Sequence, residues 1–313
     1  MTQERVLVIG GTGLLGTALC YCFALRGYDV AYTYRRAPLP VDNLGLTSIS
    51  VDVTSRNSLR QIEELRPAWV IHTPSLKNVD YCERHPQEAR ELNMVGAENV
   101  AKVASKLKCG FVYIGTNDIF SGNLGPFSEE DAPEPLNVYA RTKLEAEARV
   151  RQIVPKHLIV RTTFHGPHYN PENSFSMRII SSLRQRKPVQ MATDQFSSII
   201  STLDLAEALE QLVRVDASGT LHVASRNAIS RYRFATCLAN VFRLDSSLVE
   251  RTTYDRIFTS FGLQAPRPLR ATLAVRRAEA ELNHRLPTIR ESLVHMRGTA
   301  VSFSTTMGIR FEL

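Results

Sequence analysis

A chain of 313 residues with 43% hydrophobic and 22% charged residues has the balance of a globular protein, long enough for one large core or two modest ones. Its formal charge of +7 comes without a basic stripe interleaved with aromatics, so nucleic acid is not an expected partner. No apolar run reaches the roughly 20 residues of a bilayer crossing, and the first residues lack the basic, apolar and small-residue order of a secretory signal; no membrane partner and a cytoplasmic location are expected.

Cys20, Cys22, Cys82, Cys109 and Cys237 form no Cys-x-x-Cys pair, which reads as free thiols in a reducing compartment. His165 and His168 alone are too small a donor set for a tetrahedral metal site; no metal is expected. After residue 165, eighteen of the nineteen cationic residues are arginine, a side chain suited to bidentate phosphate contacts. By charge alone this describes a solvated surface.

In chain order, RVLVIG reads as a strand running into glycines, followed by the helix LLGTALCYCFALRG. DVAYTYRR and TSISVDV read as strands two and three, SLRQIEELR as a helix stopped at Pro67, and AWVIHT as strand four. A long amphipathic helix, ARELNMVGAENVAKVASKL, leads to strand five, CGFVYIGT; the helix TKLEAEARVRQ then leads to HLIVRTTF. Continuous apolar strands alternating with amphipathic helices predict a parallel sheet covered on both faces, and right-handed crossovers make it a doubly wound, Rossmann-type α/β domain. Beyond Phe164 the pattern loosens into HGPHYNPEN, the helix SFSMRIISSLRQRK and the strand PVQMA, then recovers in DLAEALEQLVR and GTLHVA. Residues 1–165 plus about 196–225 are therefore expected to form the nucleotide-binding domain, and about 166–195 plus 226–313 a smaller C-terminal substrate-binding lobe.

The turn GGTGLLG places Gly10, Gly13 and Gly16 between a strand and a helix. Gly10 permits the tight turn, Gly13 lets backbone approach a pyrophosphate, and Gly16 lets helix and strand pack closely; the helix N-terminus faces the phosphates. Thr12, Leu14 and Leu15 complete this expected cofactor-binding turn. Where an acid would meet a free ribose hydroxyl at the end of the second strand, the chain has Thr33 and Tyr34, then Arg35 and Arg36. Arginine there accommodates a 2′-phosphate, so NADP(H) is expected over NAD(H).

Tyr139 and Lys143 stand four apart, on one helical face. A phenol with an ordinary pKa near 10 exchanges protons poorly at neutral pH, and a neighbouring ammonium would lower it. Thr116, at the carboxyl end of strand five, falls where parallel sheets hold their ligands and supplies a hydroxyl for a substrate oxygen.

With these residues in place the chain resembles the extended short-chain dehydrogenase/reductase superfamily. VDYCERHPQEARELNMVGAENVAKVA, FVYIGTNDIFSG and PFSEEDAPEPLNVYARTKLEAE resemble its dTDP-4-dehydrorhamnose reductase branch, which includes the similar methionine adenosyltransferase beta subunit. RTTFHG, TDQFSS and PRPLRATL are similar to later landmarks of that branch. The resemblance implies Tyr139 as proton donor, Lys143 as ribose ligand and tuning cation, and Thr116 as partner of the substrate oxygen. It implies cofactor contacts from Asp52 and Val53 at the adenine, from His72, Thr73 and Pro74 in the loop bordering ribose and phosphates, and from Thr162. Asn93 corresponds to an asparagine ordering a relay water, and Asn117 and Phe164 fall at the substrate. The implied activity is NADPH-dependent reduction of a ketone, best a nucleotide-activated 4-keto-6-deoxysugar or a related biosynthetic ketone. The substrate would be a small anion, and a homodimer would be the assembly. An NADP-binding regulatory subunit is the alternative.

Four departures bear on the substrate. Thr116-Asn117 replaces a Thr-Asp pair, Phe164 stands in place of a tryptophan, His72-Thr73-Pro74-Ser75 replaces an alanine-rich run, and SSII at 197–200 lacks a Pro-Thr pair. Dehydratase chemistry wants an acid pair, and Asn117-Asp118 supplies one carboxylate. The tail 298–313 matches no landmark; a final strand or ordered terminus is expected there rather than a docking segment.

Overall fold

The apolar runs become the strands of one sheet because both of their faces are buried. In the computed structural model, which describes residues 4–41, 44–168 and 170–308, Arg5–Ile9 (β1), Asp29–Tyr34 (β2), Thr47–Ser50 (β3), Trp69–His72 (β4), Gly110–Ile114 (β5), His157–Arg161 (β6) and Gly219–His222 (β7) pair in parallel, in the order β7-β6-β5-β4-β1-β2-β3. The chain runs outward from β1 through β2 to β3, then returns to place β4 on the other side of β1. That reversal opens a crevice at the carboxyl ends of β1 and β4, where such sheets bind ligands.

Alternation along β1 divides the core. Val6 and Val8 pack on the face covered by the helix Leu14–Leu25 (α1), while Leu7 and Ile9 pack on the face covered by Gly96–Leu107 (α2). The helix Val138–Ile153 (α3) joins the α2 side through Ala146, Val150 and Ile153; Thr202–Arg214 (α4) joins the α1 side through Leu205, Leu209 and Leu212. Pro86–Arg90 and α2 are joined by a π-helical turn, Glu91–Val95, so that one long helix carries an extra residue in its wall.

A third apolar cluster gathers Ile179, Ile180 and Leu183 with Phe234 and Leu238 of Arg231–Val241 (α5), and with Leu293 and Met296 of Ile289–Thr306 (α6). Around it Val189–Ala192 pairs in parallel with Val249–Thr252, and Phe196–Ser197 antiparallel with Ile229–Ser230. Leu273, Val275, Ala278, Leu282 and Leu286, expected in this lobe, pack into the sheet's own cluster instead.

Of the two expectations for the tail, a final strand or an ordered terminus, the described part shows the second, as helix. Residues 298–306 continue α6, which a capping box at Thr288 and Glu291 starts. Phe303 is buried edge-on to Tyr21, 5.0 Å between centroids, so its side chain joins the core of the sheet domain. Residues 309–313 lie outside the described residues.

Candidate active site

The glycine turn crosses the end of β1 under tight restraint. Gly10 adopts φ +75°, its N–H donates to Thr33 Oγ1 at 2.9 Å, and Gly11 N–H donates to the Thr33 carbonyl at 2.9 Å. Thr33 stands where an acid would meet a free ribose hydroxyl, and here its side chain holds the turn. A Cβ on Gly16 would strike the Gly10 carbonyl and the Gly11 Cα, so helix and turn meet backbone to backbone. Gly13 is the N-cap of α1 and no side chain caps that helix. Its first amides, including those of Leu14, Leu15 and Gly16, can face an anion. Thr12 accepts at its carbonyl from the ring of His168, 3.2 Å away.

Across the crevice, Thr73 Oγ1 donates to the Ile9 carbonyl at 2.8 Å, tying the loop after β4 to the glycine turn. Pro74 lies against Gly10. His72 points the other way, buried beside Phe111 and Tyr113. Asp52 is exposed and closes a local turn, accepting from Thr54 N–H at 2.9 Å and Thr54 Oγ1 at 2.7 Å; these bonds hold its carboxyl below its ordinary range. Val53 is buried under Gly96. Arg35 and Arg36 follow β2, both exposed and neither in an ion pair among the described residues. Uncapped amides, a glycine cradle with no room for side chains and two solvent-facing guanidiniums together fit a phosphorylated dinucleotide.

The phenol of Tyr139 sits at the carboxyl end of β5. Asn137 begins α3: its Oδ1 accepts from Ala140 N–H at 2.9 Å while its amide donates to the Pro266 carbonyl at 2.8 Å. Glu83 accepts from Val138 N–H at 2.9 Å. The first turn is thus pinned from two sides, and the Thr116 and Ser75 hydroxyls lie close enough to the Tyr139 phenol to draw its pKa down. Thr116 Oγ1 also accepts from Asp118 N–H at 3.2 Å.

Lys143 is buried, with its ammonium 2.7 Å from the Ile114 carbonyl and over the ring of Tyr113. Burial pushes its pKa down to about 7, against the pull of Glu147. The expected lowering of the Tyr139 phenol is not seen. Burial, with the Asp118 carboxylate adding to it, raises that phenol well above its ordinary value; the Thr116 and Ser75 hydroxyls pull the other way. Desolvation of the phenolate outweighs a cation engaged with a backbone carbonyl.

Two expected site residues have protein partners. The Asn117 amide donates to the buried Ala271 carbonyl at 2.7 Å, fastening PRPLRATL to the sheet. Asn93 spends both ends of its amide on protein, accepting from Leu76 N–H at 2.7 Å and donating to Thr142 Oγ1 at 3.1 Å. Phe164 is half-buried in a short strand opposite Ile200, and Thr162 is buried with no hydrogen-bond partner for its hydroxyl among the described residues.

Tertiary structure adds groups that spacing did not reveal. Asp118 lies in the fields of Arg231 and Arg267 as well as Tyr139; burial raises its pKa, and the two arginines oppose that rise. Arg231 opens α5 and stacks its guanidinium 4.7 Å over Phe175. Arg267 is ion-paired with Asp80 and donates to the Ala265 carbonyl at 2.8 Å.

Residues 4–301 match the family model described as the RmlD substrate binding domain. The chain belongs to that family. Among its relatives is the probable low-salt glycan biosynthesis reductase Agl14 of Haloferax volcanii, 28% identical and covering 95% of this chain and 99% of that protein. The methionine adenosyltransferase 2 subunit beta of Bos taurus is 29% identical, over 85% of this chain and 79% of its own. Among solved structures, dTDP-4-dehydrorhamnose reductase from Bacillus anthracis in complex with NADP superposes with a TM-score of 0.83 at 25% identity, covering 95% of this chain and 99% of that one. The extended short-chain dehydrogenase/reductase architecture expected from the motifs is thereby borne out. No helix among the described residues is long and apolar enough to cross a membrane.

Proposed function

We propose that this protein is an NADPH-dependent ketoreductase acting on a nucleotide-activated 4-keto-6-deoxysugar or a closely related ketone. The observation that carries the reading is the convergence of Thr116, Tyr139 and buried Lys143 at the end of β5, beside an uncapped glycine turn. NADPH would lie along that turn, with Arg35 and Arg36 at its 2′-phosphate, and would supply the hydride. Thr116 donates a hydrogen bond to the substrate carbonyl oxygen and fixes its place. Tyr139 gives its proton to the same oxygen as charge develops there, the division of labour of hydride transfer with general acid assistance. Lys143, with a pKa near neutrality, can exchange the Ile114 carbonyl for a ribose hydroxyl and carry positive charge toward the phenol. Arg231, at the mouth of α5, suits an anionic substrate group, and Asp118 suits a sugar hydroxyl.

The test is NADPH consumption on dTDP-4-dehydrorhamnose and on other nucleotide-linked 4-keto sugars. Tyr139→Phe is expected to lower kcat by at least a hundredfold while NADPH binding persists. Full turnover in that variant would overturn the assignment. Similarity to the methionine adenosyltransferase 2 subunit beta supports a second reading, a cofactor-binding regulatory subunit. Tight NADPH binding with no turnover on the whole panel would favour it.

A further inference from the structure

The loop after β4 carries a hydroxyl where the resemblance calls for alanine. Ser75 Oγ donates to Asn93 Oδ1 at 3.3 Å, and the same hydroxyl lies close enough to the Tyr139 phenol to draw its pKa down. Asn93, fully buried in the π-helical turn, clamps the same loop at both ends, through Leu76 N–H at 2.7 Å and the Leu76 carbonyl at 3.4 Å. Its amide continues to Thr142 Oγ1 at 3.1 Å, which donates to the Tyr139 carbonyl at 2.8 Å. The hydrogen bonds therefore run from Ser75 through Asn93 and Thr142 to the Tyr139 backbone, and hold the Ser75 hydroxyl on the side of the phenol. A π turn inserted in a helix often marks a functional site. Here it sets Asn93 within reach of the loop on one side and of α3 on the other.

We propose that Ser75 is a positioning residue for proton transfer, the donor that holds the Tyr139 phenolate once its proton has passed to the substrate oxygen. This rests on Tyr139 being the proton donor. When a substrate carbonyl takes the Thr116 hydroxyl, Ser75 is the hydroxyl left near the Tyr139 phenol. Ser75 has one proton and two acceptors in reach. While the phenol is neutral, Tyr139 donates to Ser75 and Ser75 donates to Asn93. As the phenolate forms, the Ser75 O–H turns to it, and Asn93 Oδ1 keeps the Leu76 N–H. The Tyr139 proton ends on the substrate oxygen and the Ser75 proton stays on Ser75. A hydrogen bond strengthened only as charge develops raises kcat rather than affinity.

The experiment compares Ser75→Ala and Ser75→Thr with the unaltered protein by two readouts. The first is the ¹³Cζ resonance of Tyr139 in tyrosine-labelled, NADPH-saturated protein, assigned with Tyr139→Phe. Ser75→Ala moves that resonance and Ser75→Thr restores it, whatever the substrate proves to be. The second is turnover of dTDP-4-dehydrorhamnose. Ser75→Ala is expected to lower kcat about tenfold, the worth of a hydrogen bond to a charged group, with both KM values within about twofold and a larger solvent deuterium effect; Ser75→Thr recovers kcat. An unmoved resonance overturns the proposal. So does a loss in Ser75→Ala that appears in the KM for NADPH and is not rescued by threonine, because that marks a loop scaffold. Full turnover by Tyr139→Phe refutes the proton-donor reading instead, and the resonance still decides whether Ser75 holds the phenol.

Discussion

His72→Phe is expected to make the protein more resistant to acid. The ring lies at the end of β4, 1% exposed, stacked on Tyr113 with centroids 6.0 Å apart, and neither nitrogen has a hydrogen-bond partner among the described residues. Burial, helped by the Lys143 charge, pushes its pKa from 6.5 down to about 3. The folded protein keeps this ring neutral at a pH where the unfolded chain protonates it. Stability therefore falls as pH drops from about 6.5 toward about 3, by about 1.4 kcal/mol per pH unit for one proton. Two units below the unfolded value, near pH 4.5, the accumulated cost is about 2.7 kcal/mol. Phenylalanine is planar and aromatic, cannot titrate and leaves no nitrogen unpaired, and the packing cost of its larger ring is the same at both pH values. His165 and His222, pushed down to about 3 and about 4 mainly by burial, act in the same direction, but their shares cancel in the difference between the two proteins. Urea unfolding at pH 8 and pH 4.5 measures it: the advantage of His72→Phe should be about 2–3 kcal/mol larger at the lower pH. An equal gap at both values would refute the account of a neutral buried ring.

Glu147→Ala should cost about 3–5 kcal/mol in chemical denaturation, because Arg161 is buried against it with Nη2 to Oε2 at 3.0 Å and would be left as an unpaired buried cation. The same change removes the carboxylate that supports the charge of Lys143, so the lysine should titrate at lower pH, read by its ¹⁵N resonance. His295 donates to Asp204 at 2.6 Å, with Glu207 on its other side, while the Ser201 and Ser292 hydroxyls donate to the second Asp204 oxygen. Hydrogen bonding to Asp204 raises its pKa above 6.5, so its contribution is full below pH 6.5 and fades as pH rises through the folded value. His295→Gln should be less stable than the unaltered protein at pH 6 and approach it at pH 9, measured by thermal melts. Replacing Arg35 and Arg36 together with alanine should weaken NADPH binding about tenfold or more while leaving NADH binding nearly unchanged, read by nucleotide fluorescence titration.

The strands of the sheet were legible because VLVI, WVIH and FVYI are buried on both faces, and a doubly covered strand must be apolar throughout. The glycine turn was legible for a different reason: a tight turn and a close helix leave no space for a Cβ, so physics writes glycine at fixed spacing. Tyr139 and Lys143 could be paired because helical geometry makes residues four apart neighbours. Asn117 shows the limit of that reasoning. Its side chain could serve a ligand or the fold, and only the folded chain shows its amide donating to the Ala271 carbonyl.

Local spacing determined the dinucleotide turn, the order of strands and helices and the catalytic candidates, since each of these is written within a few residues of chain. It could not determine which distant groups face the phenol. Asp118 acts on the phenol while Arg231 and Arg267, from two other segments, act on Asp118, and Ser75 comes near Tyr139 through the β4 loop that Asn93 of the π turn clamps. Nor could spacing fix the protonation behaviour of the site. The sequence places a cation beside a phenol, but the folded protein desolvates both, lowering Lys143 and raising Tyr139. Burial is a property of the packed chain, and here it outweighs the charges that the sequence brings together.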